Sequence, residues 1–153
     1  MQFVCPSPIG DLLIVYDDSH ICGLYFGKEA TEKHIHNAVI ERCVRQLDLY
    51  FAGKLREFDL PRRAAGTAFQ TATWAALAKI PYGTTVSYGH IAADIGKPKA
   101  SRAVGGANNK NPISIIVPCH RVVGANGKMV GYGGEVWRKE WLLAHESAIA
   151  RAN

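Results

Sequence analysis

An apolar run held between two prolines constrains this chain more than any other feature. Pro112 and Pro118 bracket Ile113-Ser114-Ile115-Ile116-Val117. β-Branched residues in so short a run read as a buried strand, and proline is tolerated at the ends of a strand rather than in a central ladder. A thiol and an imidazole follow at once, Cys119 and His120. Neighbours on a regular strand face opposite sides, so a working pair requires a bend, which Pro118 can supply because it cannot donate to a ladder. An imidazole that takes a thiol's proton makes it a strong nucleophile. The adjacency alone also fits a buried cysteine beside a surface histidine.

Charge divides along the chain. Residues 1–62 hold 7 Lys/Arg against 9 Asp/Glu, while residues 63–153 hold 11 against 4, giving −2, +7 and an overall +5. A basic half attached to a slightly acidic one suggests that the second half meets a polyanion, although a merely soluble basic surface has the same composition. A chain of 153 residues, 48% apolar, suits one compact domain or two small ones. The start, Met1-Gln2-Phe3-Val4-Cys5-Pro6, lacks the basic and apolar regions of a signal peptide, and no apolar stretch approaches a membrane span. Cysteines 5, 22, 43 and 119 show no framework spacing, so reduced thiols in the cytoplasm are expected.

The first half reads as a small α/β unit. Leu12–Tyr16 and Ile21–Phe26 read as strands joined by a turn at Asp17-Asp18-Ser19-His20. Ile35, Val39, Cys43, Leu47 and Phe51 recur every four residues, which predicts a helix from Thr31 to about Phe51, ended by Gly53. Arg56–Leu60 could return as a strand. Cys5, His20, Cys22, His34 and His36 are scattered without ligand spacing, so no metal site is expected.

Pro61-Arg62-Arg63-Ala64-Ala65-Gly66 reads as a linker between domains 1–62 and 67–153. Thr67 with Gln70 forms a capping-box pattern for a helix to about Lys79, with Phe69, Ala72, Ala76 and Ile80 on its buried side. Ser87 can cap a second helix, Tyr88 to Ile95, stopped by Gly96; Pro98 opens a third, Lys99 to about Asn109. This pair suggests a helix-turn-helix, and Val122-Val123 and Met129-Val130 around Asn126-Gly127 suggest a hairpin wing. The third helix is thin: Ala100, Ser101, Ala103, Gly105, Gly106 and Ala107 carry almost no bulk. It could pack tightly within the fold, but Lys97, Lys99, Arg102 and Lys110 favour a phosphate backbone as its partner. A last helix, about Glu135 to Ala148, places Lys139, Leu143 and Glu146 on one stripe.

Pro118-Cys119-His120-Arg121-Val122, Asn111-Pro112 and Arg102-Ala103-Val104-Gly105 closely resemble the O6-alkylguanine-DNA alkyltransferases. The resemblance runs on through Gly131-Tyr132, Lys139, Leu142-Leu143 and Glu146, covering roughly residues 67 to 147. It implies an α+β chain: a small ribonuclease-H-like scaffold, then a winged-helix domain that binds DNA and accepts the alkyl group. The implied partner is double-stranded DNA carrying O6-alkylguanine, with O4-alkylthymine as a further lesion. The protein would bind as a monomer, with cooperative association on DNA left open, and would need no cofactor, metal or membrane.

The resemblance also assigns roles. Cys119 takes the alkyl group, His120 activates it through a bound water, and Glu146 holds His120. Asn111 ties the recognition helix to the active-site segment. Tyr132 donates to guanine N3 with Lys139 in support, the Gly133 amide faces O6, and Gly134 leaves room beside the cysteine. The carbonyls of Cys119 and Val122 accept from the exocyclic amine. The thin helix enters the minor groove, where Arg102 fills the gap left by the extruded base and Tyr88 presses on its phosphate. One departure stands out: where the family pattern has Tyr-x-Gly-Gly, this chain has Tyr132-Gly133-Gly134-Glu135. Glu135 is expected to face solvent, and to be strained if that position needs positive φ. A cysteine hydrolase and a non-catalytic DNA binder of the same fold are the competing readings.

Overall fold

Short apolar runs at the amino-terminal end pair into an antiparallel meander. The computed structural model describes residues 1–129 and 135–152, which divide into two compact units, Met1–Ala64 and Ala65–Asn153. In the first, β1 (Gln2–Cys5), β2 (Leu12–Tyr16) and β3 (Ile21–Phe26) form a sheet in that order, with Ile14 of β2 opposite Phe3 and Leu24. β2 and β3 occupy their expected residues. β1 carries no clear alternation in four residues, and it becomes a strand by pairing with β2.

The first helix is shorter than the apolar spacing predicts. α1 spans Ala38–Phe51, and Val39, Ile40, Cys43, Leu47 and Tyr50 are buried. Residues 31–36 are drawn out of the helix by other partners. The Gln2 side-chain oxygen accepts the Thr31 and Glu32 amides, the Tyr16 hydroxyl bonds both backbone groups of Ile35, and Asn37 caps the Ile40 amide at 2.9 Å. An N-cap of this kind fixes a helix start. Gly53, at φ 76°, ends α1 with Lys54 N–H donating to Leu49, as expected for a glycine stop. Arg56–Leu60 is not a strand: Gln46 brackets Asp59 by bonding its N–H and its carbonyl, and a parallel bridge to Ile21 forms only at Arg62.

The second unit is built on helices. α2 (Ala68–Leu77) starts in a reciprocal capping box between Thr67 and Gln70. Its buried side is Thr73, Trp74 and Leu77, with Phe69 and Ala76 half-buried and Ala72 exposed. The stripe is rotated from expectation because Trp74 is drawn inward, its Nε1 donating to the Ala107 carbonyl at 2.9 Å. α3 (Tyr88–Asp94) is capped by Ser87, and Gly96 at φ 76° closes it with Lys97 N–H donating to Ala92. α4 (Ser101–Asn109) follows and packs on α2 and α3. α5 (Val136–Arg151) completes the unit, burying Lys139, Leu142 and Glu146, while Leu143 is only half-buried.

The central run differs from expectation, and the expected wing lies partly outside the described residues. β5 (Val122–Val123) pairs in parallel with β4 (Val86–Ser87). Asn126 and Gly127 both take positive φ in a turn closed by Gly124 N–H donating to Lys128; Val130, the far end of the expected hairpin, lies outside the described residues. Ile113–Val117 is a buried turn and not a strand. Val117 N–H donates to Ile113 at 3.0 Å and Ile115 sits at φ 72°. Asn111 enforces this by accepting the Ile113 amide and donating to the Val117 carbonyl at 2.8 Å. A β-branched residue at positive φ costs on the order of 1–3 kcal/mol, stored here three residues before Pro118.

Candidate active site

The chain bends at Pro118, whose φ −81° and ψ 65° make an inverse γ-turn closed by Cys119 N–H donating to Val117 at 2.8 Å. A single 3-10 turn, Cys119–Arg121, follows. With three residues per turn, successive side chains leave in three directions instead of alternating across a strand. The bend expected at Pro118 is present, and Cys119, His120 and Arg121 are all buried.

Glu146 of α5 joins the other two side chains of that turn. His120 Nε2 lies 2.7 Å from Glu146 Oε2; Arg121 donates from Nε to Oε1 at 2.7 Å and from Nη2 to Oε2 at 3.0 Å. A third guanidinium bond, from Nη1, reaches the Ile80 carbonyl at 2.8 Å. Burial works against the charge on Glu146, but the hydrogen bonds and charges of His120 and Arg121 outweigh it and hold the carboxyl well below its usual range. Arg121 is always charged, so Glu146 is ionised and can only accept. His120 Nε2 therefore carries the hydrogen. Burial, with Arg121 and Lys139 adding to it against the pull of Glu146, lowers the imidazole's proton affinity. A neutral ring of this tautomer keeps its lone pair on Nδ1, which is buried without a hydrogen-bond partner among the described residues.

The thiol is surrounded by donors. Burial pushes the Cys119 thiol up, while hydrogen bonding from Asn111 and Ser114 and the Lys139 charge pull the other way. Lys139 is fully buried on α5; burial depresses its proton affinity and the nearby Cys119 raises it. Ammonium and thiolate thus favour each other. The resting thiol is protonated, and reaction needs a base.

The basic helix has two faces. Val104, Ala107 and Asn108 are buried, whereas Arg102, Ala103, Gly106 and Asn109 are exposed, so small side chains and one arginine face outward. Lys97, Lys99 and Lys110 are exposed, and Ala100, Ser101 and Gly105 half-buried. The half-buried Tyr88 ring lies against Gly105, where an added Cβ would stand 3.9 Å from it, and burial and the nearby Cys119 raise its hydroxyl pKa. Val122 is buried in β5, paired with Val86 of β4. The structure thus gathers Cys119, His120, Glu146, Asn111, Lys139 and Tyr88 around one turn. Tyr132, Gly133 and Gly134 lie outside the described residues.

Glu135 precedes α5 at φ 72° and ψ 148°, a conformation that glycine adopts freely and glutamate does not. Its carboxylate faces outward, accepting the Trp137 indole N–H at 2.8 Å, with Arg138 3.6 Å away. The residue faces solvent as expected, and its positive φ meets the condition under which strain follows.

Sequence reasoning missed three contributors. Arg121 stood inside the Cys-His motif with no role, yet it is the permanent cation on Glu146. Ser114 looked like part of a strand. Asn108, a buried polar residue on a helix of small ones, donates to the Cys119 carbonyl at 3.3 Å. Among the described residues, no cluster of His, Cys, Asp or Glu could hold a metal ion, no helix is long and apolar enough to cross a membrane, and all four cysteines are free thiols.

Known proteins resemble this chain in sequence and in fold. Residues 68–148 match the DNA binding domain of 6-O-methylguanine DNA methyltransferase, and residues 3–63 its ribonuclease-like domain. The methylated-DNA–protein-cysteine methyltransferase of Methanosarcina acetivorans is 48% identical over 93% of this chain and 95% of its own length. The crystal structure of Mycobacterium tuberculosis O6-methylguanine methyltransferase superposes with a TM-score of 0.90 at 46% identity, covering 99% of this chain and 95% of that one. The M. tuberculosis protein in complex with DNA matches with a TM-score of 0.88 at 47% identity, covering 95% of this chain and 92% of that one. Two matched domains in this order, and close to half of all residues identical along nearly the whole length, show that the chain belongs to the 6-O-methylguanine DNA methyltransferase family.

Proposed function

We propose that this protein repairs DNA by moving the alkyl group of O6-alkylguanine, and of O4-alkylthymine, irreversibly onto its own Cys119. One observation carries the reading: a buried thiol on a 3-10 turn, beside a neutral imidazole whose far nitrogen is bonded to an ionised carboxylate at 2.7 Å. A bound water carries the thiol proton to His120 Nδ1, with Glu146 fixing the tautomer and supporting the imidazolium. The sulfur pair then forms a bond to the alkyl carbon as the carbon–O6 bond breaks. The electron pair passes to guanine, and a proton neutralises it. Tyr132, the Gly133 amide and Lys139 stabilise that departing charge, and Gly134 leaves space for the group transferred. A thioether is a poor leaving group, so each molecule reacts once and no cofactor takes part.

Residues 67–153 form the DNA-binding and alkyl-accepting domain in this reading, and residues 1–62 its scaffold. Lys97, Lys99 and Lys110 meet phosphates, with the α4 face of Ala100, Ser101, Ala103 and Gly105 in the minor groove. Arg102 fills the stack and Tyr88 presses on the phosphate of the extruded nucleotide; Asn111 holds the turn to the helix. The partner is duplex DNA carrying the lesion, met by a monomer in the cytoplasm. The structure of the M. tuberculosis relative with DNA supports that partner.

Mixing the protein with a duplex containing O6-methylguanine and weighing the Cys119 peptide tests the reaction. One retained methyl group per molecule is the expected result, and Cys119→Ser should bind the lesion but gain none. Methyl release with continued turnover would indicate a cysteine hydrolase, and an unchanged mass a non-catalytic DNA binder.

A further inference from the structure

Ser114 and Cys119 meet because the run between the two prolines turns twice. On an extended strand they would stand about 16 Å apart and on opposite faces. Instead, Ile116 N–H donates to the Ser114 carbonyl at 2.9 Å across Ile115, whose φ of 72° makes this the strained form of γ-turn. Val117 N–H reaches back to Ile113 at 3.0 Å, and the inverse γ-turn at Pro118 ends on Cys119. These reversals bring the Ser114 hydroxyl to the Cys119 sulfur, with which it is hydrogen-bonded.

Asn111, Lys139 and Ser114 all favour negative charge on that sulfur, and they differ in what else they do. Asn111 spends its amide on the backbone, Nδ2 on the Val117 carbonyl and Oδ1 on the Ile113 amide, so it shapes the turn. Lys139 is fully buried on α5 and brings a whole charge. The Ser114 hydroxyl has no hydrogen-bond partner besides Cys119 among the described residues. A thiolate carries no proton and accepts only, so the hydroxyl must donate to it. Such a bond favours the charged form, and it counts most where burial has removed water, as around Cys119. The titratable groups facing the sulfur are Lys139 of α5 and the Tyr88 hydroxyl of α3, with His120 next in the turn.

Resting on the alkyl-transfer reading above, we infer that Ser114 is a catalytic hydrogen-bond donor, whose Oγ–H stabilises the Cys119 thiolate as the thiol proton departs and holds it for attack on the alkyl carbon. The hydroxyl keeps its own proton throughout. The thiol proton leaves toward His120, and the sulfur pair forms the bond to carbon as the carbon–O6 bond breaks. Because this side chain bonds nothing else, its donor can be removed without unmaking the turn.

The test titrates the Cys119 thiolate by its ultraviolet absorbance, taken as the difference from Cys119→Ser, in the parent, Ser114→Ala and Ser114→Thr. Single-turnover methyl transfer from a duplex carrying O6-methylguanine is followed over the same pH range. Ser114→Ala should move the titration toward alkali and slow transfer about tenfold near neutral pH, the effect of one hydrogen bond to a charged group. The deficit should narrow as pH rises and the thiolate forms unaided. Ser114→Thr, which keeps a hydroxyl, should restore both. An unmoved titration in Ser114→Ala would overturn the proposal, and so would a deficit equal at every pH, which would make Ser114 a packing residue. A threonine variant as impaired as the alanine one would overturn it too. A titration that responds to Ser114 in a protein that transfers no methyl group would instead sink the alkyl-transfer reading itself.

Discussion

Arg121 grips both oxygens of the Glu146 carboxylate, Nε on Oε1 at 2.7 Å and Nη2 on Oε2 at 3.0 Å, beneath the His120 ring bonded to the same group. The pair is buried, and it makes Glu146 more than an orienter of His120. Substituting Glu146 therefore disturbs the fold as well as the imidazole. Removing either member leaves a buried charge uncompensated.

Arg121→Met should destabilise the protein by about 3–5 kcal/mol, and the double variant Arg121→Met/Glu146→Gln should recover part of that loss. Arg121→Lys should rescue poorly, since an ammonium cannot span both oxygens and the Ile80 carbonyl. Urea denaturation of the parent, Arg121→Met, Glu146→Gln and the double variant gives the coupling. Additive losses in the double variant would show that the two residues act separately.

The same pair sets a pH dependence. The folded-state value of Glu146 lies below its ordinary 4.5, so its contribution is fully present above about pH 4.5 and fades as pH falls below it. Glu146→Gln should cost about 3 kcal/mol near neutrality, and the gap to the parent should narrow in acid. Denaturation at stepped pH between neutrality and strong acid measures it. A gap independent of pH would mean that the carboxylate charge is not what stabilises the fold.

Lys139 should control the thiol. Burial raises Cys119 from its ordinary 9.0 and the Lys139 charge opposes that rise. Lys139→Met should move the pH–rate profile for reaction with free O6-benzylguanine toward alkali, because an opposing charge beside the thiol is lost. A slower reaction with an unmoved profile would place Lys139 in substrate binding instead.

Glu135 should be replaceable with a gain. Its positive φ costs on the order of 1–3 kcal/mol, whereas glycine carries a backbone entropy cost of about 0.5–1, so Glu135→Gly should stabilise the fold by about 1 kcal/mol. The side chain is 70% exposed, so the benzyl-to-methyl rate ratio should not change, and benzyl adducts should react with the parent. A parent inert to benzyl but rescued by glycine would show that Glu135 closes the pocket.

Arg102→Ala should slow transfer from duplex DNA while leaving the free-base reaction almost intact, since a stack must be held open only in the duplex. Equal loss on both substrates would assign Arg102 to the fold or the chemistry. Parent binding should weaken as salt rises, each phosphate contact adding about −0.9 to the log–log slope. A flat salt response would rule out a phosphate-tracking surface.

What the sequence determined by itself was written in short-range interactions. Thr67 with Gln70, Ser87, Gly53 and Gly96 each act within five residues of their partners, so the helix ends they make could be read directly. The Cys-His motif and the partition of charge were likewise visible without a fold. Tertiary structure decided where distant groups competed for the same backbone. Gln2 and Tyr16 took residues 31–36 from the predicted helix, and Asn111 folded Ile113–Val117 into a turn that its β-branched composition disguised as a strand. Only the folded chain could bring Glu146 to residues 25 and 26 positions away, or set Asn108 on the carbonyl of Cys119. Periodicity reports which side of an element is apolar; it does not report which buried donor meets which buried acceptor, because that pairing depends on how the elements pack.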